Sequence, residues 1–212
     1  MTAVLFDVDG TLLDSADYVL GAVEYTLRIH GRTPPPREQI AVLMGPPLDH
    51  CYGLLAPGMD PAPLVVTHRA WQRERMNLAK PFPKAVETVR ELRDAGMRCG
   101  AVTARSNVSS LGTLEGAGLG GLLEVVISAE DTPRTKPFPD PIFAALDRLK
   151  VPVSEAVMVG DTASDIEAGR VAGVRTVGVL YGFFGEKLRE SRPDYVVSDI
   201  SELPALLRLV TP

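Results

Sequence analysis

Short apolar runs of strand length alternate with helix-length amphipathic patterns over most of this sequence, and that alternation restricts the fold more than any other feature. Val4 to Phe6, Cys99 to Val102, Val125 to Ile127, Ala156 to Val159, Thr176 to Val179 and Tyr195 to Val197 read as strands. Between them, Val86, Val89 and Leu92 recur at helical spacing, with Gly96 as the stop. Ile142, Phe143, Leu146 and Leu149 form a second stripe, and Ile166, Gly169 and Ala172 a third with small residues suited to close packing on a sheet. Leu203, Leu206 and Leu207 belong to a last helix covering one sheet face. Strands separated by helices pair in parallel, so the predicted fold class is α/β, a parallel sheet wrapped by helices.

Residues 15–80 break this rhythm. An amphipathic helix (Val19, Leu20, Val23, Leu27, ending near Gly31) is followed by Pro34-Pro35-Pro36, Pro46-Pro47 and further helical pieces, with no strand. The segment reads as a helical insertion standing over the end of the first strand, hinged near residues 13–16 and 80–84. The expected division is a core of residues 1–14 and 81–212 and an inserted helical cap of residues 15–80. A chain of 212 residues is long enough for one such domain with a modest insertion.

Composition narrows the partners. A net charge of -5 argues against nucleic acid or an anionic membrane. No apolar run approaches the roughly 18 residues of a spanning helix, and Ala3 to Phe6 lacks the basic start and length of a signal peptide. Cys51 and Cys99 are far apart and read as free packing residues of a reducing cytoplasm. A monomer and a homodimer both remain open.

The chemistry concentrates at strand ends. Asp7-Val8-Asp9-Gly10 follows the first apolar run, where an open α/β sheet binds its ligands. Gly10 lets the backbone turn beside the carboxylates, although Asp-Gly is also an ordinary turn pair. Gly160-Asp161-Thr162-Ala163-Ser164-Asp165 follows another strand, with Asp161 at its end and Asp165 in the first helical turn, where an acid also complements the helix N-terminus. Thr103 ends the strand Gly100 to Val102 with a hydroxyl able to donate to an anion, and Ala104 and Arg105 follow it. Lys136 lies on a loop stiffened by Pro137, Pro139 and Pro141.

Convergence of Asp7, Asp9, Asp161 and Asp165 would place four negative charges together. At 4 Å and an effective dielectric of 20, each close pair repels by about 4 kcal/mol. A phosphate could not enter without a divalent cation and Lys136, which together supply three positive charges. Hard carboxylate oxygens beside a phosphate point to Mg²⁺.

At these residues the sequence resembles the haloacid dehalogenase-like hydrolase superfamily, in its phosphoglycolate phosphatase-like branch. The resemblance rests on Asp7-Val8-Asp9-Gly10-Thr11-Leu12-Leu13-Asp14-Ser15, Thr103, Lys136-Pro137, and Gly160-Asp161-Thr162 with Asp165, and it covers nearly the whole chain. It implies a Rossmann-like core with an inserted, mobile α-helical cap. It also implies Asp7 as a nucleophile forming an aspartyl-phosphate and Asp9 as the acid and then base. Mg²⁺ would sit on the Asp7 side chain, the Asp9 main-chain carbonyl and Asp161, supported by Asp165. Thr103 and Lys136 would bind phosphoryl oxygens, and Ala104, Arg105 and the cap residue Gly45 join the substrate-binding set.

The expected partner is a small phosphorylated metabolite, 2-phosphoglycolate first. An acid at Asp9 favours phosphoryl transfer over dehalogenation within the resemblance. Gly45-Pro46-Pro47-Leu48-Asp49-His50 lacks the arginine and serine pair of sugar phosphomutases. A mutase, an inorganic pyrophosphatase and an inactive scaffold stand as alternatives. Pro83-Lys84-Ala85-Val86 replaces the branch's usual proline-glycine-valine, which predicts a stiffer hinge. His50 and His68 are expected on the cap surface and His30 at a helix end. Arg69 and Arg73 are open between substrate contact and a solvated face, as is Arg105 between substrate contact and a solvated loop.

Overall fold

The computed structural model describes residues 1–210, so the last two residues of the predicted core lie outside the described residues. In chain order, β1 (Ala3–Phe6) and β2 (Leu13–Asp14) lead into α1 (Ala16–Ile29), α2 (Arg37–Ala41), α3 (Leu48–Leu55) and α4 (Pro61–Arg73). Then come β3 (Lys80–Pro81), α5 (Ala85–Asp94), β4 (Arg98–Val102), α6 (Asn107–Gly116), β5 (Val125–Ile127) and α7 (Asp140–Leu149). The chain continues through β6 (Ala156–Gly160), α8 (Ala163–Ala172), β7 (Arg175–Val179), β8 (Tyr195–Val197) and α9 (Leu203–Val210).

Six strands form one sheet in the order β5-β4-β1-β6-β7-β8, and every pairing in it is parallel. Each predicted strand is present, and the α/β Rossmann-like class holds. The central strands read as unbroken apolar runs because both faces are covered. Along β1, Val4 and Phe6 face Val89 and Leu92 of α5 and Leu203 and Leu207 of α9, whereas Ala3 and Leu5 face Ile142 and Leu146 of α7 and Ala168 of α8. Side-chain alternation along a strand produces that division. Gly169 lets α8 lie close to the sheet, since a β-carbon there would fall 2.6 Å from Cγ2 of Thr176.

Phe143 departs from the expected stripe. Ile142, Ala145, Leu146 and Leu149 are buried, but Phe143 is 46 % exposed. Adjacent residues on a helix point about 100° apart, so Ile142 and Phe143 cannot share one narrow face.

The helices between β2 and β3 have a core of their own, built from Leu20, Val23, Leu27, Ile40, Met44, Cys51, Tyr52 and Leu64. A two-residue antiparallel ribbon, Leu13 to Pro81 and Asp14 to Lys80, ties the two ends of this segment together. The expectation of no strand between residues 15 and 80 is corrected at Lys80, because a two-residue strand is too short to show a period. His68 is also corrected: it is 1 % exposed, and its Nδ1 lies 2.8 Å from the Tyr52 hydroxyl. His50 is on the surface, and Cys51 and Cys99 are buried free thiols. Among the described residues, no helix is long and apolar enough to cross a membrane.

Lys84, just after the ribbon, has φ +64°, a left-handed conformation that an L side chain adopts at a cost of about 1–2 kcal/mol. Lys84→Gly removes that cost but frees the unfolded chain. It is expected to stabilise by about 0.5–1 kcal/mol, or about 1–4 °C in Tm, measured by calorimetry. A lower Tm would show that the αL position is not strained.

Candidate active site

Asp7, Thr103 and Asp161 each directly follow the carboxyl end of a strand, β1, β4 and β6 respectively. These three strands are neighbours at the centre of the sheet, so the three side chains meet on one edge. Asp165 reaches the same point from the first turn of α8, where its Oδ2 accepts from the Thr162 amide at 3.0 Å and hydroxyl at 2.6 Å. The helix-capping role of Asp165 is therefore real, and it uses only one of the two oxygens.

The other oxygen faces Lys136. The ammonium donates to Asp7 Oδ1 at 2.5 Å, to Asp165 Oδ1 at 2.6 Å and to the Val102 carbonyl at 2.9 Å, which occupies all three N–H groups. Lys136 is 3 % exposed, so although it lies on a loop it is not a solvated surface lysine. Burial opposes its charge, but Asp165 and Asp7 outweigh that and raise its pKa. Asp7 is pushed up to about 7, chiefly by burial, with Asp165 and Asp9 adding and Lys136 opposing. Burial, then Asp7 and Asp165, also raise Asp161 well above the ordinary carboxylate range.

Asp161 is held by the Phe183 amide at 2.7 Å and by the Thr11 hydroxyl at 3.3 Å. One carboxylate oxygen from each of Asp7, Asp161 and Asp165 lies within 4.8 Å of the others. Glycines make room around them. A β-carbon on Gly10 or Gly182 would collide with Asp161, and one on Gly160 with Asp165. Three buried carboxylates facing one lysine are an oxygen-rich nest that a hard divalent cation fits.

Arg105 is where the residues say most beyond the sequence. It is 7 % exposed, and its Nε and Nη2 donate to the two oxygens of Asp9 at 2.6 and 2.5 Å. Nη1 donates to the Thr113 hydroxyl at 2.7 Å, and the guanidinium carbon stands 4.4 Å from the ring centre of Tyr18. Tyr18 in turn lies 2.8 Å from the Ser109 hydroxyl. Burial raises the Asp9 pKa, but Arg105 more than reverses this and holds the carboxyl below its usual range. The solvated-loop reading of Arg105 is thus corrected. Thr103 Oγ1 accepts from the Arg105 amide at 3.1 Å, which leaves its own proton free to donate.

Asp7, Asp9, Thr103, Ala104, Arg105, Lys136 and Gly45 all line one cavity of about 90 Å³ between the sheet edge and the inserted helices. Asp161 and Asp165 lie against Lys136 and Asp7 beneath it. Gly45 has φ +114° and sits against Ser164 and Thr162, so the proline-flanked cap loop closes directly on the start of α8. Sequence reasoning missed Tyr18, Ser109, Thr113, Gln72 and Phe183. Of these, only Phe183, in the Gly182-Phe183 turn after a strand, carried a local signal. Arg69 and Arg73 are exposed, and neither lines this cavity.

Known proteins share this fold. Residues 4–179 match the family described as haloacid dehalogenase-like hydrolase. The chain is 34% identical over 206 residues to Pyrophosphatase PpaX of Bacillus velezensis, covering 96% of this chain and 94% of that protein. A predicted phosphoglycolate phosphatase from Haemophilus somnus 129pt has a TM-score of 0.88 at 20% identity, over 98% of both chains. A predicted phosphatase from Clostridium acetobutylicum has a TM-score of 0.90 at 23% identity, over 99% of both. At those identities the two structures speak for the fold alone.

Proposed function

The chain belongs to the haloacid dehalogenase-like hydrolase family, and from that premise we propose that it hydrolyses small phosphate monoesters through an aspartyl-phosphate on Asp7, with Mg²⁺ as cofactor. The observation that carries this reading is Lys136 bridging Asp7 and Asp165 beside Asp161, at the one sheet edge where an α/β fold takes its ligand. A cavity of about 90 Å³ supports a small substrate, being well below the roughly 300–1,000 Å³ of drug-sized sites. The free buried thiols support a reducing compartment such as the cytoplasm.

In this reading an Asp7 oxygen attacks phosphorus while the bond to the leaving oxygen breaks, and a proton on Asp9 passes to that oxygen. Asp9, now ionised, takes a proton from water as the water oxygen attacks the phosphoryl group, which frees Asp7 and phosphate. The Arg105 pairing favours the ionised Asp9 that the second step requires, whereas the first step requires Asp9 protonated and so released from that pairing. The Thr103 hydroxyl presents a donor to the phosphoryl oxygens where charge spreads in the transition state, and Lys136 joins it by exchanging one of its three present acceptors for a phosphoryl oxygen. Asp7, the Asp9 carbonyl and Asp161 would hold Mg²⁺, with Asp165 in support. When bound, it supplies the positive charge that lets a phosphate approach these carboxylates.

A second reading, inorganic pyrophosphate as substrate, is favoured by the name of the 34% identical relative. Release of phosphate from p-nitrophenyl phosphate, 2-phosphoglycolate and pyrophosphate at fixed Mg²⁺ tests both. Excess EDTA is expected to abolish turnover and Mg²⁺ to restore it, with Ca²⁺ a poor substitute because it accepts looser, higher coordination. Asp161→Ala is expected to raise the Mg²⁺ requirement more than Asp165→Ala, since Asp165 is already committed to Lys136 and Thr162. Full turnover in EDTA would remove the metal from the reading.

A further inference from the structure

The cap wall of the cavity differs in chemistry from its floor. Val19, Met44, Pro46 and Leu48 make it apolar, and its polar side chains are His68 and Gln72, one turn apart on α4. His68 is buried, and its Nδ1 is taken up by the Tyr52 hydroxyl at 2.8 Å, while Gln72 also interacts with the ring. Burial, with Arg69 adding, lowers the His68 pKa to about 4, so the ring is neutral at pH 7. A neutral imidazole and a carboxamide offer hydrogen bonds without charge.

The cations tell the same story. Among the described residues lining the cavity they are Arg105 and Lys136. Both oxygens of Asp9 hold the first, and Asp7, Asp165 and the Val102 carbonyl hold the second. The site then contains four carboxylates against two cations, and a bound divalent ion brings the sum to zero. The transferring phosphoryl group alone makes it negative again. A leaving group with its own carboxylate or phosphate would bury further negative charge against an apolar wall, without a cation of its own.

We infer that the leaving group this site selects is a small uncharged alcohol bearing a hydroxyl or carbonyl group, read by Gln72, which the buried His68 holds in place. The inference rests on the phosphatase reading above and narrows it, placing both carboxylate-bearing esters and pyrophosphate behind neutral monoesters. It makes Gln72, at the edge of the cap core, a specificity-determining residue.

The test compares kcat/KM for 2-hydroxyethyl phosphate, ethyl phosphate, 2-phosphoglycolate and pyrophosphate in the full chain with Mg²⁺. The first and third differ essentially by one negative charge, and the first and second by one hydroxyl. Wild type is expected to prefer 2-hydroxyethyl phosphate over 2-phosphoglycolate and pyrophosphate by at least about tenfold, about 1.4 kcal/mol. Gln72→Leu is expected to bring the ratio of 2-hydroxyethyl to ethyl phosphate towards one. Gln72→Lys is expected to move the ratio of 2-phosphoglycolate to 2-hydroxyethyl phosphate upward by about tenfold or more. A wild-type preference for either anionic leaving group, or ratios that neither variant moves, overturns the inference while leaving a phosphatase. Phosphate release from none of the esters, p-nitrophenyl phosphate included, would bring down the phosphatase reading and this one together.

Discussion

Asp7→Asn is expected to lower kcat by at least a thousandfold, about 4 kcal/mol in barrier, while leaving the protein folded. The substitution keeps shape and still offers Lys136 an oxygen, but an amide does not attack phosphorus as a carboxylate does. Its effect on stability has the opposite sign to its effect on turnover. Asp7 has its pKa raised to about 7, chiefly by burial, so the folded state binds its proton more tightly than the unfolded chain does. For an acid raised in this way, stability is fully present below the ordinary value near 4 and is lost as pH rises through about 7. Metal-free wild type should therefore lose stability across that window, and Asp161, raised for the same reason, adds to the loss. Asp7→Asn removes one ionisation, so in EDTA at pH 8 its Tm should equal or exceed that of wild type. Rapid-quench detection of a phosphoryl group on Asp7 in wild type, absent from the variant, completes the test. Retention of more than about a hundredth of wild-type kcat would sink the covalent mechanism.

The parts of this site that were legible in sequence share one property: each is local. Asp7, Thr103 and Asp161 follow apolar strands, and in a parallel sheet a strand end is a place as well as a pattern. All six sheet strands were readable as short apolar runs, most plainly β1 and β6, where burial on both faces leaves the strand apolar throughout. Lys136 was weak alone and became meaningful only when four carboxylates needed a counter-charge. Arg105 had no such support. Its partners Asp9 and Tyr18 lie 96 and 87 positions away in the chain, and Thr113 lies on the next helix, so no short window holds the constellation. His68 was expected on the cap surface, since no partner at a recognisable spacing marks it in the sequence. The structure buries it through Tyr52, sixteen residues earlier on another helix. Side chains that meet across the cap and core are decided by packing, and packing is not periodic.

Lys136→Met is the variant expected to damage both stability and turnover. Methionine fills a similar volume, so the loss is of charge and donors, not of packing. Asp7, Asp161 and Asp165 would then face one another with their shared cation gone. Removing one partner from a buried ion pair typically costs about 3–5 kcal/mol, because the remaining charges are stranded. In a chain of 212 residues that corresponds to a fall of roughly 6–20 °C in Tm. The fall should be steeper at pH 8 than at pH 5, because without Lys136 the carboxylates take up protons more readily and acid discharges the repulsion. Mg²⁺ should recover part of the lost Tm by supplying positive charge to the same oxygens, whereas it should recover little of kcat. A hydrated ion on the metal side does not replace a donor aimed at the phosphoryl oxygens. The pairing of results carries the argument: Asp7→Asn silences the enzyme without unfolding it, and Lys136→Met weakens the fold in a way that Mg²⁺ and acid both relieve. Equal Tm for Lys136→Met and wild type in EDTA at pH 8 would mean that the three carboxylates do not depend on Lys136, and the bridge at the centre of the site would lose its physical basis.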